Sequence, residues 1–342
     1  MRDNRELVEL LHNFGMNPAG IETVKRGVYR VTAPDGELYC LKRMGMPTAQ
    51  LVWMDSVLLA MRQTGFRSAA WRDPSSAYGK TLYACRSGQS VPYILTPWLT
   101  GTVPSSNSLQ QLYACAQTLA RFHRSGQALN IARKGSVDWL GQWPKLLKAR
   151  FELMERSIRN VQRGKPSNPF ESLLQEHGTW LLERGRQALR LVDNKRYRQL
   201  CRAAKQSNAV LCHADSGPNN FVLTGDGPAL IDFESMRYDL RIFDLYRLIR
   251  LASKKNGWSP LAARTIVDGY TSASGSGLAD AELDLLKAWL LFPQKAYRAI
   301  RKYDRADTAS RRRLSSKLTK GIHGEQPIAE FLEQFIESHG ME

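Results

Sequence analysis

The chain is short of the features that would make a protein secreted, metal-stapled or membrane-spanning. Its 342 residues include only five cysteines (Cys40, Cys85, Cys115, Cys201, Cys212), odd in number and without C-x-x-C spacing. Neither a disulfide framework nor a zinc site is indicated, and reduced, mostly buried thiols are expected. Cys212 precedes His213, but neighbours on an extended segment point to opposite faces, which argues against a Cys/His nucleophile pair. No apolar run approaches the length of a membrane span. The opening MRDNRELVELLHNFG reads as a charged amphipathic helix and not a signal peptide, so a cytoplasmic chain is expected. Internal repeats and low-complexity tails are missing as well. Acidic residues are scarce: 32 Asp and Glu face 49 Lys and Arg, a net charge of +17. Such a balance favours phosphates, acidic polymers or anionic surfaces without choosing among them.

What is present is concentrated between Val210 and Asp244. His213, Asp215 and Asn220 stand in the order H-x-D-x-x-x-x-N, and Asp232 opens a D-F-E triplet twelve positions later. Between them Phe221-Val222-Leu223 reads as a strand, Thr224-Gly225-Asp226-Gly227 as a turn, and Ala229 to Ile231 as the returning strand. Folding that hairpin brings Asp232 back beside Asn220. Transfer of a phosphoryl group needs one carboxylate to orient the attacking hydroxyl and take its proton, and further oxygen ligands to hold magnesium on the nucleotide. One loop and one hairpin supply both. A turn-rich surface loop before an ordinary hairpin is the bland alternative.

The rest of the chain divides by pattern. A helix is expected over 5–15, with Leu7, Leu10, Leu11 and Phe14 on one face, followed by strands from Ile21 to Thr32 and from Glu37 to Met44 around the turn Ala33-Pro34-Asp35-Gly36. The second strand carries Lys42 between Leu41 and Arg43. Thr48 to Thr64 reads as a helix without a glutamate, Asp55 being its only acid. Strands are expected at Thr81 to Cys85 and Val91 to Pro97. Beyond them helices are expected at Leu109 to Arg124, 143–162 and 170–205, from Asp244 onward, and at Pro260 to Ser272, Asp280 to Lys302 and Pro327 to Ser338. His123, near the end of one helix, reads as a packed or capping histidine.

These residues resemble the protein-kinase-like phosphotransferases of the aminoglycoside and choline kinase type. The resemblance implies an α+β fold of two lobes, with a small antiparallel-sheet lobe over 1–96, a linker over 97–101 and a larger, mostly helical lobe over 102–342. It implies ATP and Mg2+ as cofactors. Asp215 would be the catalytic base, Asn220 and Asp232 the metal ligands, and Lys42 the phosphate-binding lysine. The linker around Thr96 and Trp98 would hold the adenine edge. His213 would support the loop, Asp244 would hydrogen-bond its backbone, and Glu234 would assist the metal or acceptor or simply face solvent. The chain departs from the pattern in two places: Thr23 to Tyr29 has one glycine where protein kinases have several, and the helix offers no glutamate to Lys42, so either Asp55 takes that role or the pairing is absent.

Within the superfamily the layout looks most like the spore-coat CotS family, on GVYRVTAPDGELYCLKRM, LTPWLTG, LARFHRSG, the Trp139–Trp143 block and LLFPQKAYRAIRKY. That implies a mother-cell protein in sporulation, with spore-coat proteins as partners. Lys295 to Lys320 holds ten Lys or Arg against two Asp, and Lys145, Lys148, Arg150, Arg156 and Arg159 add to it. Together they suggest an anionic acceptor or docking surface, whereas nucleic acid lacks any stacking or helix-turn-helix signal. The leading expectation is phosphoryl transfer to a hydroxyl of a small molecule or sugar-containing polymer. The alternative is a non-catalytic coat component that keeps the fold.

Overall fold

The computed structural model describes residues 2–208, 210–303 and 306–337. A five-stranded antiparallel sheet in the order β1-β2-β3-β5-β4 forms the N-terminal part. Its strands are β1 (Gly20–Lys25), β2 (Val28–Thr32), β3 (Leu38–Arg43), β4 (Ala84–Cys85) and β5 (Pro92–Pro97). The stretch read as one strand from Ile21 to Thr32 is in fact a hairpin. Gly27 turns it with φ at +78°, a conformation that costs glycine little, and a Cβ there would sit 3.1 Å from that of Arg43.

Strand alternation decides which side chains reach the cleft. Leu41 and Leu95 point to one face, where they form a small core with Leu7, Leu10, Leu11 and Phe14 of helix α1 (Arg2–His12). Lys42 is paired with Ile94 in the β3–β5 register, and both take the other face. That face meets helix α2 (Thr48–Gln63), whose Leu51, Met54, Val57 and Leu58 join the main core.

From residue 109 onward helices dominate: α3 (Leu109–Gln127), α4 (Trp143–Gln162), α5 (Pro169–Val192), α6 (Lys195–Gln206), α7 (Ile242–Ser253), α8 (Pro260–Ser274), α9 (Asp280–Leu291), α10 (Gln294–Tyr303), α11 (Thr308–His323) and α12 (Ile328–Glu337). Two helices of the sequence reading are each split. Asn194 accepts from the Tyr197 amide at 2.9 Å and starts α6 afresh. Pro293 divides 280–302, because it has no amide to continue α9. Helix α11 emerges from a stretch that reads chiefly as charge; Leu314, Leu318 and Ile322 recur at helical spacing and are buried. Ser338, the expected last residue of α12, lies outside the described residues. Three short strands, β6 (Leu211–Cys212), β7 (Phe221–Thr224) and β8 (Gly227–Leu230), carry the central motif, and β9 (Arg237–Tyr238) pairs with β6. All five cysteines are free, with Cys115 and Cys212 buried. No helix among the described residues is long and apolar enough to cross a membrane. The architecture is thus α+β, a sheet followed by a helical mass.

Candidate active site

Asp244, in the first turn of α7, organises the loop after β6. It is fully buried, and both its oxygens are filled. Oδ2 accepts from the His213 amide at 2.8 Å, and Oδ1 accepts from the Ala214 amide at 2.7 Å and the Ser216 hydroxyl at 3.0 Å. His123 Nε2 adds a contact to Oδ2 at 2.9 Å, while its Nδ1 meets the Tyr270 hydroxyl at 2.8 Å. His123 is therefore a packed histidine that braces Asp244. Burial alone would push the Asp244 carboxyl up; the His123 bond, the two histidine rings and the loop amides outweigh it and hold it below the usual carboxylate range. Although His123, Cys212 and Asp244 cluster within 4.8 Å, the carboxylate is already committed to the loop.

His213 lies fully buried beneath the loop. The Asp215 amide donates to its Nδ1 at 3.2 Å, so Nε2 carries the proton and donates to the Ile231 carbonyl at 2.9 Å. Burial holds its pKa below the usual histidine value. The ring thereby ties the loop to the end of β8, next to Asp232. Ala214 is left with φ at +65° and Asp232 with φ at +68°, left-handed conformations that are uncommon outside glycine and occur at sites where the surroundings enforce them.

The hairpin β7–β8 closes the geometry. Ile231 donates its amide to the Asn220 carbonyl at 3.0 Å, which sets Asn220 and Asp232 side by side. The Asn220 amide nitrogen donates to the Asp215 carbonyl at 2.6 Å, leaving its side-chain oxygen without a donor among the described residues. Asp215, Asn220 and Asp232 are therefore brought to one place. The Asp215 carboxylate accepts from Arg247 of α7. Sequence reasoning missed Arg247, although its position three residues after Asp244 puts both on one helical face.

Lys42 reaches across from the sheet. Its ammonium lies 2.5 Å from Asp232 Oδ1 and 3.0 Å from Glu234 Oε1. Burial pushes its pKa down, but the two carboxylates overcome that and raise it. Glu234 thus supplies the carboxylate that α2 lacks. Asp55 does not take the role: it accepts from Arg72 Nε at 2.7 Å, Arg72 Nη2 at 2.5 Å and the Trp71 indole at 2.8 Å. That buried fork pins the segment 69–73, where the Ala70 amide donates to the Leu230 carbonyl at 2.9 Å.

Two cavities flank these residues. The first, about 240 Å3, is walled by Val28, Cys40 and Ile94 of the sheet, by Thr96 and Trp98, and by Val222, with Lys42 and Asp232 at its polar end. The Trp98 amide is already donated to the Leu38 carbonyl at 2.9 Å, and the Arg30 guanidinium lies 5.8 Å from the centroid of its ring. A mainly apolar slot with a cation and a carboxylate in its lining suits a nucleotide. Magnesium fits the donor set at that end, where a carboxylate and an uncommitted amide oxygen are the hard oxygens such an ion takes. The second cavity, about 340 Å3, opens on Asp215 and is lined by arginines and aromatic rings.

Residues 25–283 match the model of the "Phosphotransferase enzyme family". The whole chain is similar in fold to an aminoglycoside phosphotransferase from Alicyclobacillus acidocaldarius, with a TM-score of 0.75 and 20% identity over 94% of this chain and 93% of that one. A spectinomycin phosphotransferase in complex with ADP gives 0.57 and 14% identity over 97% and 93%. A choline kinase from Streptococcus pneumoniae gives 0.51 and 13% over 98% and 100%. No curated protein sequence matches the chain. With three quarters of its length inside the family model and the fold shared from end to end, the chain belongs to the phosphotransferase enzyme family.

Proposed function

We propose that the chain is an ATP- and magnesium-dependent kinase that phosphorylates a hydroxyl of a small molecule or a sugar-bearing polymer. The observation that carries the reading is the convergence of Asp215, Asn220 and Asp232 on a loop fixed by a buried Asp244, opposite Lys42 of β3. ATP lies in the slot between Val28 and Val222, with Thr96 and Trp98 beside its base. Lys42 leaves Asp232 and Glu234 to meet the nucleotide phosphates. Asn220 and Asp232 are the residues to hold magnesium, which when bound supplies charge neutralisation on the phosphates. Asp215 orients the acceptor hydroxyl and takes its proton. The acceptor oxygen forms a bond to the γ-phosphorus as the bond to the β–γ bridging oxygen breaks, and ADP departs.

Incubation with ATP, magnesium and a panel of hydroxyl compounds tests this, with phosphorylated product read by mass spectrometry. Asp215→Ala should abolish product while keeping nucleotide binding, and Asp232→Ala should lose both. Full activity in both variants would sink the assignment.

A second reading is a structural component that keeps the fold without catalysis. It is favoured by the contact of Arg247 with Asp215, which covers the proposed base, and by the commitment of Lys42 to two carboxylates. It predicts no thermal shift with millimolar magnesium-ATP. The resemblance to the CotS family adds a proposed place in the spore coat, with coat proteins as partners, which localisation of a fluorescent fusion during sporulation checks.

A further inference from the structure

The second cavity has a charge pattern that nothing in the kinase reading requires. Arg150 of α4, Arg237, Arg247 of α7 and Arg298 of α10 line it, and Asp215 is its only acid. Two of the four guanidiniums are balanced. Arg237 is held by the buried Asp239 at 2.9 Å and Arg247 by Asp215. Arg150 donates to the neutral Gln294 oxygen at 3.0 Å and lies 5.8 and 5.6 Å from the ring centroids of Trp143 and Tyr297, but neither it nor Arg298 has an acidic partner among the described residues. The lining therefore carries a net excess of two positive charges even after Asp239 is counted. Arg150 is partly buried, and burial lowers its pKa; Tyr297 and Tyr246 oppose that, while Arg298 and Arg301 push the same way as burial. The cavity is thus a place where cations crowd one another and an anion would relieve them. A further sign is that the buried Nε of Arg247 has no hydrogen-bond partner among the described residues, a costly state for a charged donor. The rings of Trp143 and Trp289 complete the walls.

We propose that this cavity takes a hydroxylated anion, a sugar or polyol bearing a carboxylate or phosphate, with the anionic group held by Arg150 and Arg298 and a hydroxyl presented to Asp215. The inference rests on the phosphotransferase reading for the role of that hydroxyl, but the charge preference is measurable without catalysis. Arginine suits the task because its planar fork grips carboxylate and phosphate through two parallel bonds. A cationic amino sugar, in contrast, enters against a net excess of two positive charges. An anionic group also competes with Asp215 for Arg247, so binding of the acceptor uncovers the base.

Matched probes separate the possibilities: glucose, glucuronate, glucose 6-phosphate and glucosamine, titrated by calorimetry into the full chain with the nucleotide slot saturated by magnesium and a non-hydrolysable ATP analogue. One or both anions should bind at least tenfold more tightly than glucose, and glucosamine most weakly. Preference for glucuronate alone marks a carboxylate ligand, and for glucose 6-phosphate alone a phosphate ligand. The double variant Arg150→Gln/Arg298→Gln should erase the preference and leave analogue binding unchanged. Equal or tighter binding of glucose or glucosamine, a preference that survives the double variant, or no binding of either anion overturns the inference. Failure of the analogue itself to bind would instead strike the kinase reading, and the sugar titrations remain interpretable without it.

Discussion

The two cavities on either side of Asp215 and Asp232 are built on opposite plans. The slot proposed for the nucleotide is mainly apolar and walled largely by strands, with Lys25, Lys42 and Asp232 as its charged lining residues. The cavity proposed for the acceptor is aromatic and cationic, and its arginines come from α4, the β9 region, α7 and α10, separated by up to 148 positions in sequence (150 to 298). The difference teaches where specificity resides. One cavity is walled mainly by strand residues, whereas the other is assembled from side chains of several helices distant in sequence.

The substitution with the largest expected effect separates the two halves. Asp215→Ala should lower kcat by about 10²–10⁴-fold while the thermal shift with magnesium-ATP persists, because only the acceptor side loses a functional group. Asp244→Ala should instead damage both halves together. It strips a buried carboxylate from the His213 and Ala214 amides and from Ser216, and a loss of about 3–5 kcal/mol in urea unfolding is expected. Asp55→Asn touches only the nucleotide wall. With Arg72 left under-paired, a loss of about 1–3 kcal/mol and weaker nucleotide binding are expected, whereas a protein in which Asp55 paired with Lys42 would lose catalysis instead.

Stability against pH isolates the tie between the loop and the hairpin. His213 is held below its ordinary pKa by burial, so the unfolded chain takes up a proton that the native one refuses. Its contribution is complete above the unfolded histidine value of about 6.5 and is lost as pH falls through the depressed native value, at up to about 1.4 kcal/mol per pH unit. Chemical denaturation from pH 7.5 to 5 should show that slope, and His213→Gln should flatten it. The smallest change is Ala214→Gly. Relief of the left-handed backbone and greater freedom of the unfolded chain nearly cancel, so a net shift within about 1 kcal/mol is expected with activity retained.

How much of this was legible follows from the same contrast. The loop and hairpin from His213 to Asp232 were readable because turn residues and alternating strands are local signals. The sheet and the run of helices were readable for the same reason. The single glycine at Gly27 was too thin a cue to split β1 from β2, and periodicity alone ran through Asn194 and Pro293 where a cap and a missing amide end the helices. In the site, the failure of α2 to offer a glutamate was visible, but its replacement by Glu234 was not, since that depends on a lysine 192 positions away (42 to 234). Asp55 illustrates the converse: its only acidic rivalry in α2 suggested Lys42, while tertiary packing gave it to Arg72. The sequence shows how many basic residues there are, but not that Arg150 and Arg298 line a cavity while Lys145, Lys148, Arg156 and Arg159 remain on exposed faces.

The central claim is that Asn220, Asp232 and Lys42 form a metal-dependent nucleotide site. Its most direct test is a calorimetric titration of a non-hydrolysable ATP analogue with and without magnesium, into the wild-type chain and Asp232→Ala. Binding that requires magnesium in the wild type and disappears in the variant is the predicted result. Binding that is indifferent to magnesium and to Asp232, or no binding by the wild type, would contradict it.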